Sequence, residues 1–161
     1  MHPLMAAHEK TLLLNTRLFE NCLDGVDDAT ACRRPNEHTN HMAFLACHLV
    51  DGRYFLAKLL GSVAVCPFAA QLQGVRSVEQ LREVPSLADV RAAWAVSTAI
   101  LSEHFGELGE DELRQSTPQE FPIEDRTVLG AVAFLLQHEA FHIGQLAFLR
   151  KLFGLGAMRY S

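Results

Sequence analysis

Four stretches of this chain, each roughly 20 to 27 residues long, repeat apolar residues at the alternating three- and four-residue spacing of an α-helix. No stretch alternates apolar and polar residues between hairpin turns, which is the pattern of a half-buried strand. An amphipathic helix covers its apolar side against other helices, so four of them predict an all-α four-helix bundle. The predicted segments are residues 4–23, a second from a cap at Thr39 or Asn40 to Gly61, a third from a cap at Ser86 to about Leu108, and a fourth from a cap at Thr127 to Phe153.

The longest link between these segments constrains the order of the helices. About 25 residues, with two prolines, two glycines and a short helical stretch at VEQLRE, separate the second segment from the third. A link of this length can cross the whole bundle, so we expect the second and third helices to run parallel, in an up-down-down-up order. With 161 residues and one predicted core, the chain 1–161 is expected to form a single domain.

Composition and charge exclude several classes of partner. The 14 basic and 19 acidic residues give a formal charge of -5, and no basic run provides the surface that a nucleic-acid-binding protein needs. No run of about 18 apolar residues predicts a membrane span, and the first residues lack the pattern of a signal peptide, so we expect a cytoplasmic protein. The four cysteines match neither a CxxC pair nor a zinc knuckle, and we expect them to be reduced and mostly buried.

The fourth segment contains polar residues where a bundle helix is expected to be apolar. Stepping alternately by four and three residues places His138, His142 and Gln145 on the same inward seam as its leucines. The second segment carries His48 near its middle, on the equivalent seam. Helices of similar length pack side by side, so we expect His48 to approach both histidines of the fourth segment.

A divalent metal site is the favoured explanation of these histidines. Two histidines four residues apart lie on one face of a helix, about one turn apart, so both imidazoles can converge on one point. Burying unpartnered imidazoles would cost several kcal/mol in lost hydrogen bonds, and metal coordination removes that cost. We therefore predict His48, His138 and His142 as metal ligands that leave a coordination position open, as in catalytic sites. The other interpretation is a hydrogen-bonded polar layer that fixes helix register and performs no chemistry.

Five further residues are candidates for supporting the predicted site. Gln145 and Asn15 lie near the middle of their seams and are expected to orient substrate or a water ligand. Gly52, one turn after the histidine of the second segment, would leave space beside the ion for a ligand. Asp51 and Glu139 are candidate acceptors for the N–H groups of the ligands, with a solvated helix face as the alternative interpretation of both.

The same residues resemble a known family. The fourth segment reads HEAFHIGQ, an HxxxHxGQ pattern followed by LRKLFG, and the second reads ACHLVDGRYFLAKLLG, with one histidine upstream of a Leu-Gly stop. The first segment carries an Asn-x-Arg triplet at residues 15–17. Over nearly the whole chain these patterns resemble the DinB-like four-helix bundles of the DinB/YfiT superfamily.

The resemblance implies an up-down-down-up bundle with a divalent metal, commonly zinc (Zn2+) or nickel (Ni2+), on three histidines that match His48, His138 and His142. Members of the family include mycothiol-dependent maleylpyruvate isomerases and bacillithiol S-transferases, and homodimers are frequent. We therefore expect a metal-dependent S-transferase or isomerase that uses a low-molecular-weight thiol on a small-molecule substrate. Two alternatives remain: a non-enzymatic metal-binding bundle, and a metal-dependent hydrolase, for which the histidine segment lacks a general base placed like the Glu of HExxH.

Overall fold

The computed structural model describes residues 2–160 and is built around four long helices. Within this range the one extended pairing is a single bridge between Ser116 and Thr127, and the predicted all-helical four-helix bundle is confirmed. The long helices are α1 (Ala6–Leu23), α3 (Met42–Leu59), α5 (Leu87–Glu107) and α7 (Val128–Leu152). The links contain the single-turn helices α2 (Asp28–Ala31), α4 (Ala69–Leu72) and α6 (Glu110–Leu113) and a 3-10 turn at Val78–Gln80, and another 3-10 turn, Pro3–Met5, precedes α1.

Ser86 and Thr127 begin α5 and α7, as the sequence predicts. The Ser86 hydroxyl accepts a hydrogen bond from the backbone N–H of Asp89 at 3.1 Å. The Thr127 hydroxyl accepts one from the backbone N–H of Gly130 at 3.3 Å. Each bond satisfies an N–H group that has no partner inside its own helix.

The start of α3 differs from the prediction. Its cap is His41, whose Nδ1 accepts the backbone N–H of Phe44 at 2.9 Å. Thr39 and Asn40 precede the helix, so the predicted cap is wrong by one or two residues. Here an imidazole nitrogen accepts the hydrogen bond that the side chain of Asn or Ser usually accepts at the start of a helix. The sequence pattern does not indicate that a histidine caps this helix.

Contacts between the long helices establish their order and directions. α1 packs on α5 and α7, and α3 packs on the same two helices. α7 runs parallel to α1 and antiparallel to α3, while α5 runs antiparallel to α1 and therefore parallel to α3. Four hydrogen bonds show the directions around α1: Asn15 to Leu136, Cys22 to Ile143, Arg91 to Leu23 and Trp94 to Thr16. Between α3 and α7, Leu45 lines one cavity with Leu149 and Leu56 lines another with Leu135. The order is up-down-down-up, and the long link between α3 and α5 crosses the bundle.

The inward side of α7 is rotated by about one residue from the predicted seam. His138 and His142 are half-buried and Gln145 is exposed, so this part of the seam lies on the flank that faces α3. Because a helix turns by about 100° per residue, a shift of one residue moves a position from the centre of the bundle to its flank. The buried residues of α7 are Gly130, Ala131, Val132, Leu136, Glu139, Ile143, Leu146 and Leu149. The predicted seam therefore points inward at Ala131 and Leu149 and lies on the flank between His138 and Gln145.

The four cysteines are free, as predicted. Cys22, Cys47 and Cys66 are buried, and Cys32 is exposed. Among residues 2–160, no helix combines the length and the apolar character that crossing a membrane requires.

Candidate metal centre

His48 on α3 faces His138 and His142 on α7 where these two antiparallel helices pack together. The two histidines of α7 lie about one helical turn apart and therefore share a face of that helix. His48 lies near the middle of α3, opposite them. The tertiary structure thus brings together the three histidines that the sequence predicts as ligands.

The ring nitrogens of the three histidines converge. Nε2 of His138 lies 3.0 Å from Nε2 of His142 and 3.4 Å from Nε2 of His48. One nitrogen from each ring lies within 4.8 Å of the other two. Nitrogens bound about 2.0–2.1 Å from one zinc ion at tetrahedral angles are about 3.3 Å apart, so this spacing fits a single divalent ion.

The surroundings favour the neutral form of these imidazoles. Burial lowers the pKa of His48 to about 4, and the neighbouring rings of His142 and His138 contribute in the same direction. Burial also lowers the pKa of His138, with a contribution from His142. Near neutral pH the rings of His48 and His138 are therefore uncharged and keep a lone pair for a metal ion.

Gln145 holds the ring of His142. Its Oε1 lies 2.7 Å from Nδ1 of His142. An amide oxygen only accepts, so Nδ1 carries the proton and donates it, and Nε2 keeps the free lone pair. Gln145 was predicted to orient substrate or a water ligand; in the structure it contacts one of the predicted ligands directly.

A phenylalanine ring lies beside each histidine. Phe44, buried in the core, stacks on the ring of the α3 histidine at 6.3 Å, and the ring of Phe134 lies 6.1 Å from that of His138. Phe141 meets the ring of His142 edge-on at 5.2 Å and is 59% exposed. The three histidines therefore have an apolar inner wall and reach solvent at the outer edge of the α3–α7 interface.

Comparison with known families identifies the chain. The family model described as the DinB superfamily matches residues 11–146, a range that includes all three histidines. This chain belongs to the DinB superfamily. The crystal structure of a conserved protein from Enterococcus faecalis has the same fold, with a TM-score of 0.79 and 15% sequence identity over 94% of this chain and 98% of that one. Among curated proteins, none matches the sequence.

In this DinB-superfamily chain, Asn15 is buried but bonds to backbone rather than to an imidazole. Its Nδ2 donates to the carbonyl oxygen of Leu136 at 3.1 Å and so ties α1 to α7. Ser97, a buried polar residue of α5, donates to the carbonyl oxygen of Trp94 in its own helix. Asn15 and Ser97 therefore bond to backbone carbonyl oxygens and not to the imidazoles, and the shared site consists of the histidines and Gln145.

Glu139 lies in the core of the bundle, where the interpretation as a solvated helix face is wrong. Its side chain is 7% exposed, and its two carboxylate oxygens accept from Nε and Nη2 of Arg53 at 2.7 and 2.8 Å. The carboxylate therefore pairs with Arg53 and not with the N–H of a histidine. Sequence reasoning did not place Arg53, which is 1% exposed. The sequence did contain a signal for this pair. The arginine and the glutamate each lie inside an apolar stretch of a helix, and a charge buried in this way needs a partner of opposite charge.

Asp51, three residues after His48 on α3, lies beside Cys66. Its carboxylate accepts a hydrogen bond from the Cys66 thiol, and burial raises the pKa of Asp51 while this bond acts in the opposite direction. With Tyr54 and Lys58 it lines a surface cavity of about 470 Å³. No contact with an imidazole supports its predicted role as an acceptor.

Gly52 lies beside the histidines, but the enclosed space next to it is small. Gly52 and His138 line an internal cavity of about 10 Å³ between α3 and α7. A volume of about 10–15 Å³ admits one water molecule, which is too little for a thiol. A larger cavity of about 250 Å³, lined in part by Asn40, Gln145 and Phe148, adjoins the site on the side of the α7 C-terminus. Ligands therefore have room at the outer edge of the site.

Proposed function

We propose that the protein binds one divalent metal ion, zinc or nickel, through His48, His138 and His142 and acts on a small molecule with the help of a low-molecular-weight thiol. The observation that carries the proposal is the convergence of three imidazole nitrogens 3.0 and 3.4 Å apart at the edge of a helix interface. Imidazole suits both metals, and three protein ligands leave a coordination position for a further group. The reaction proposed is an S-transfer or an isomerisation.

Different residues of the chain would have different functions at such a site. An ion held by the three histidines would lower the pKa of a thiol, so that thiolate is available near neutral pH. Gln145 keeps Nε2 of His142 unprotonated and directed at the site. The phenylalanine rings exclude water from the inner side, and the cavity beside Gln145 receives the part of the substrate that lies farther from the histidines.

The cysteines of the chain support a thiol that comes from outside the protein. Burial raises the pKa of Cys66 to about 11 and those of Cys22 and Cys47 to about 12, and it raises the pKa of Cys32 as well. These side chains are thiols rather than thiolates near neutral pH. A nucleophilic sulfur at the site is therefore proposed to belong to a separate small molecule.

The carboxylates favour thiol chemistry over hydrolysis. A metal-dependent hydrolase uses a base within hydrogen-bond reach of the attacking water. Glu139, which follows His138 in the sequence, has both oxygens engaged by Arg53, and Asp51 bonds to Cys66. Neither carboxylate is placed to serve as that base.

Surface charge and exposed apolar side chains support the proposed partners. The formal charge of -5 supports a small-molecule substrate rather than a nucleic acid. Phe148 and Leu152, 63% and 52% exposed on the outer side of α7, support association of two copies. We accordingly propose a cytoplasmic homodimer without a membrane partner, and light scattering after gel filtration gives the oligomeric state.

Metal analysis of the purified protein tests the ligand set. About one divalent ion per chain is expected in the wild type and in His104→Ala, a control on α5, and much less in His142→Ala. Stoichiometric metal in His142→Ala would overturn the ligand set. Absence of binding by the wild type after dialysis against Zn2+ or Ni2+ would favour the polar layer instead.

A cobalt-substituted protein tests the thiol. Titration with cysteine, glutathione or dithiothreitol is expected to shift the visible absorption of the cobalt site. No response to any of them contradicts the thiol while leaving the metal site in place. A large loss of thermal stability on chelation, without any thiol response, would favour a bundle that binds metal for stability alone.

A further inference from the structure

Arg53 joins all four long helices at one buried point. Its Nε and Nη2 donate to the two carboxylate oxygens of Glu139 on α7, at 2.7 and 2.8 Å. Its Nη1 donates to Thr98 Oγ1 on α5 at 2.6 Å, and Nη2 also donates to Thr16 Oγ1 on α1 at 2.9 Å. The guanidinium carbon lies 3.3 Å from the ring centroid of Trp94 on α5. An arginine held from so many directions has almost no freedom to move.

This buried pair lies on the same two helices as the histidines. Glu139 directly follows His138 on α7, and Arg53 follows His48 by five residues on α3. Arg53, Glu139 and His138 also share the walls of the cavity of about 10 Å³ between α3 and α7. A shift of Glu139 relative to Arg53 therefore moves His138 relative to His48.

We infer that the Arg53–Glu139 ion pair is a positioning device, which sets the register of α3 against α7 so that His48 meets His138 and His142 at metal-binding distance. The inference rests on the proposed metal function and adds two residues to it that do not touch the ion. It also gives a physical reason for a buried charge pair in a bundle that has ample apolar contacts.

Apolar packing and a hydrogen-bonded ion pair differ in how closely they define the register of two helices. Apolar side chains at a helix interface tolerate small sliding movements, and a slide of one residue is about 1.5 Å along the axis. Metal coordination tolerates about 0.2 Å in a ligand distance, so apolar packing by itself leaves the three nitrogens poorly defined. Two parallel hydrogen bonds between a planar guanidinium and a carboxylate define both the separation and the rotation of the partners.

A purely stabilising function predicts different behaviour. A buried ion pair adds little net stability, because desolvation of the two charges offsets their attraction, and apolar replacements of similar volume are often neutral or stabilising. A variant with both charges replaced is therefore expected to remain folded. If the pair positions the helices, the same variant loses metal-site geometry while it keeps its stability.

The test uses the double variant Arg53→Met with Glu139→Met in the full chain. Its control is Arg91→Met with Glu20→Met, which removes an ion pair between α1 and α5 and leaves the α3–α7 interface intact. Co2+ affinity, the visible absorption spectrum of bound Co2+ and the thermal midpoint are measured for each protein. The Arg53/Glu139 variant is expected to bind Co2+ at least about tenfold more weakly, with an altered spectrum, as found when residues that orient metal ligands are lost. The control is expected to match the wild type in affinity and spectrum.

The results for the double variant and the wild type distinguish failure of the positioning function from failure of the metal site. A folded Arg53/Glu139 variant with wild-type Co2+ affinity and spectrum overturns the positioning function and leaves the metal site in place. Absence of Co2+ binding by the wild type overturns the metal site, and this inference with it. If the double variant does not fold, Arg53→Lys carries the test: it keeps the charge but loses the planar fork, and unchanged Co2+ affinity and spectrum in that variant also overturn the inference.

Discussion

The amide oxygen of Gln145 lies 2.7 Å from Nδ1 of His142, and the opposite nitrogen of the same ring, Nε2, lies 3.0 Å from Nε2 of His138. One hydrogen bond at the exposed edge of α7 thus selects which nitrogen of the ring carries the proton. Because the bond also limits rotation of the ring, the free lone pair stays directed at the other histidines.

Gln145→Leu is therefore expected to weaken metal binding by about 10- to 100-fold, the usual effect of losing a partner that orients a metal-ligating histidine. Gln145→Glu keeps an acceptor and is expected to retain binding. Gln137→Leu, at another exposed glutamine of α7, is the matched control. Isothermal titration with Zn2+ measures all three variants. Equal affinity in Gln145→Leu and Gln137→Leu would show that the hydrogen bond is irrelevant to the site.

Asn15→Leu is expected to change stability without changing metal content. The substitution removes the bond from Asn15 to the Leu136 carbonyl, which ties α1 to α7, and the loss of such a buried bond costs about 1–3 kcal/mol. Urea unfolding gives the change in free energy, and metal analysis gives the content. A variant of unchanged stability that loses thiol-dependent activity would instead support the substrate-orienting function predicted from the sequence.

The stability of the protein is expected to fall in mild acid partly through His41. Burial lowers the pKa of His41 below the ordinary value of 6.5, with a further contribution from Arg34, while a backbone hydrogen bond acts in the opposite direction. Nδ1 of His41 accepts the Phe44 N–H only when it carries no proton. Since the unfolded chain takes up the proton at a higher pH than the folded chain does, this contribution is complete above about pH 6.5 and decreases as the pH falls below it.

His41→Ser isolates that contribution, because serine is a good helix cap that does not titrate. Urea unfolding of both proteins between pH 5 and 8 is the measurement. The wild type is expected to lose stability relative to His41→Ser as the pH falls, by at most about 1.4 kcal/mol per pH unit. Curves that stay parallel over this range would contradict the assignment.

Replacing two glycines of α7 by alanine is expected to change the free energy of unfolding in opposite directions. A Cβ at Gly130 would clash with the backbone carbonyl oxygen of Asp125, so Gly130→Ala forces backbone movement and is expected to cost about 1–3 kcal/mol. A Cβ at Gly144 would meet no heavy atom within 4 Å, and Gly144→Ala is expected to stabilise the exposed helix by about 0.5–1 kcal/mol. Urea unfolding gives both signs, and destabilisation by Gly144→Ala would contradict the structure at that position.

Local sequence signals determined the elements of this fold. Ser86 and Thr127 cap α5 and α7 where predicted, and α3 and α7 end shortly before Gly61 and Gly154, whose φ angles of 99° and 80° suit glycine. The meeting of His48 with the two histidines of α7 was also predictable. It required only helical spacing on two helices and their packing side by side, and both are properties of short segments.

Other features depended on the rotation of each helix about its own axis, which only the tertiary structure decides. Glu139 changes from a surface residue to a core residue when α7 turns by one residue, and its partner Arg53 lies 86 residues earlier in the sequence. Local periodicity determines which residues share a face. Whether that face meets the core or its flank is decided by the combined packing of all four helices, and a buried charge pair can be placed only once its two helices are placed.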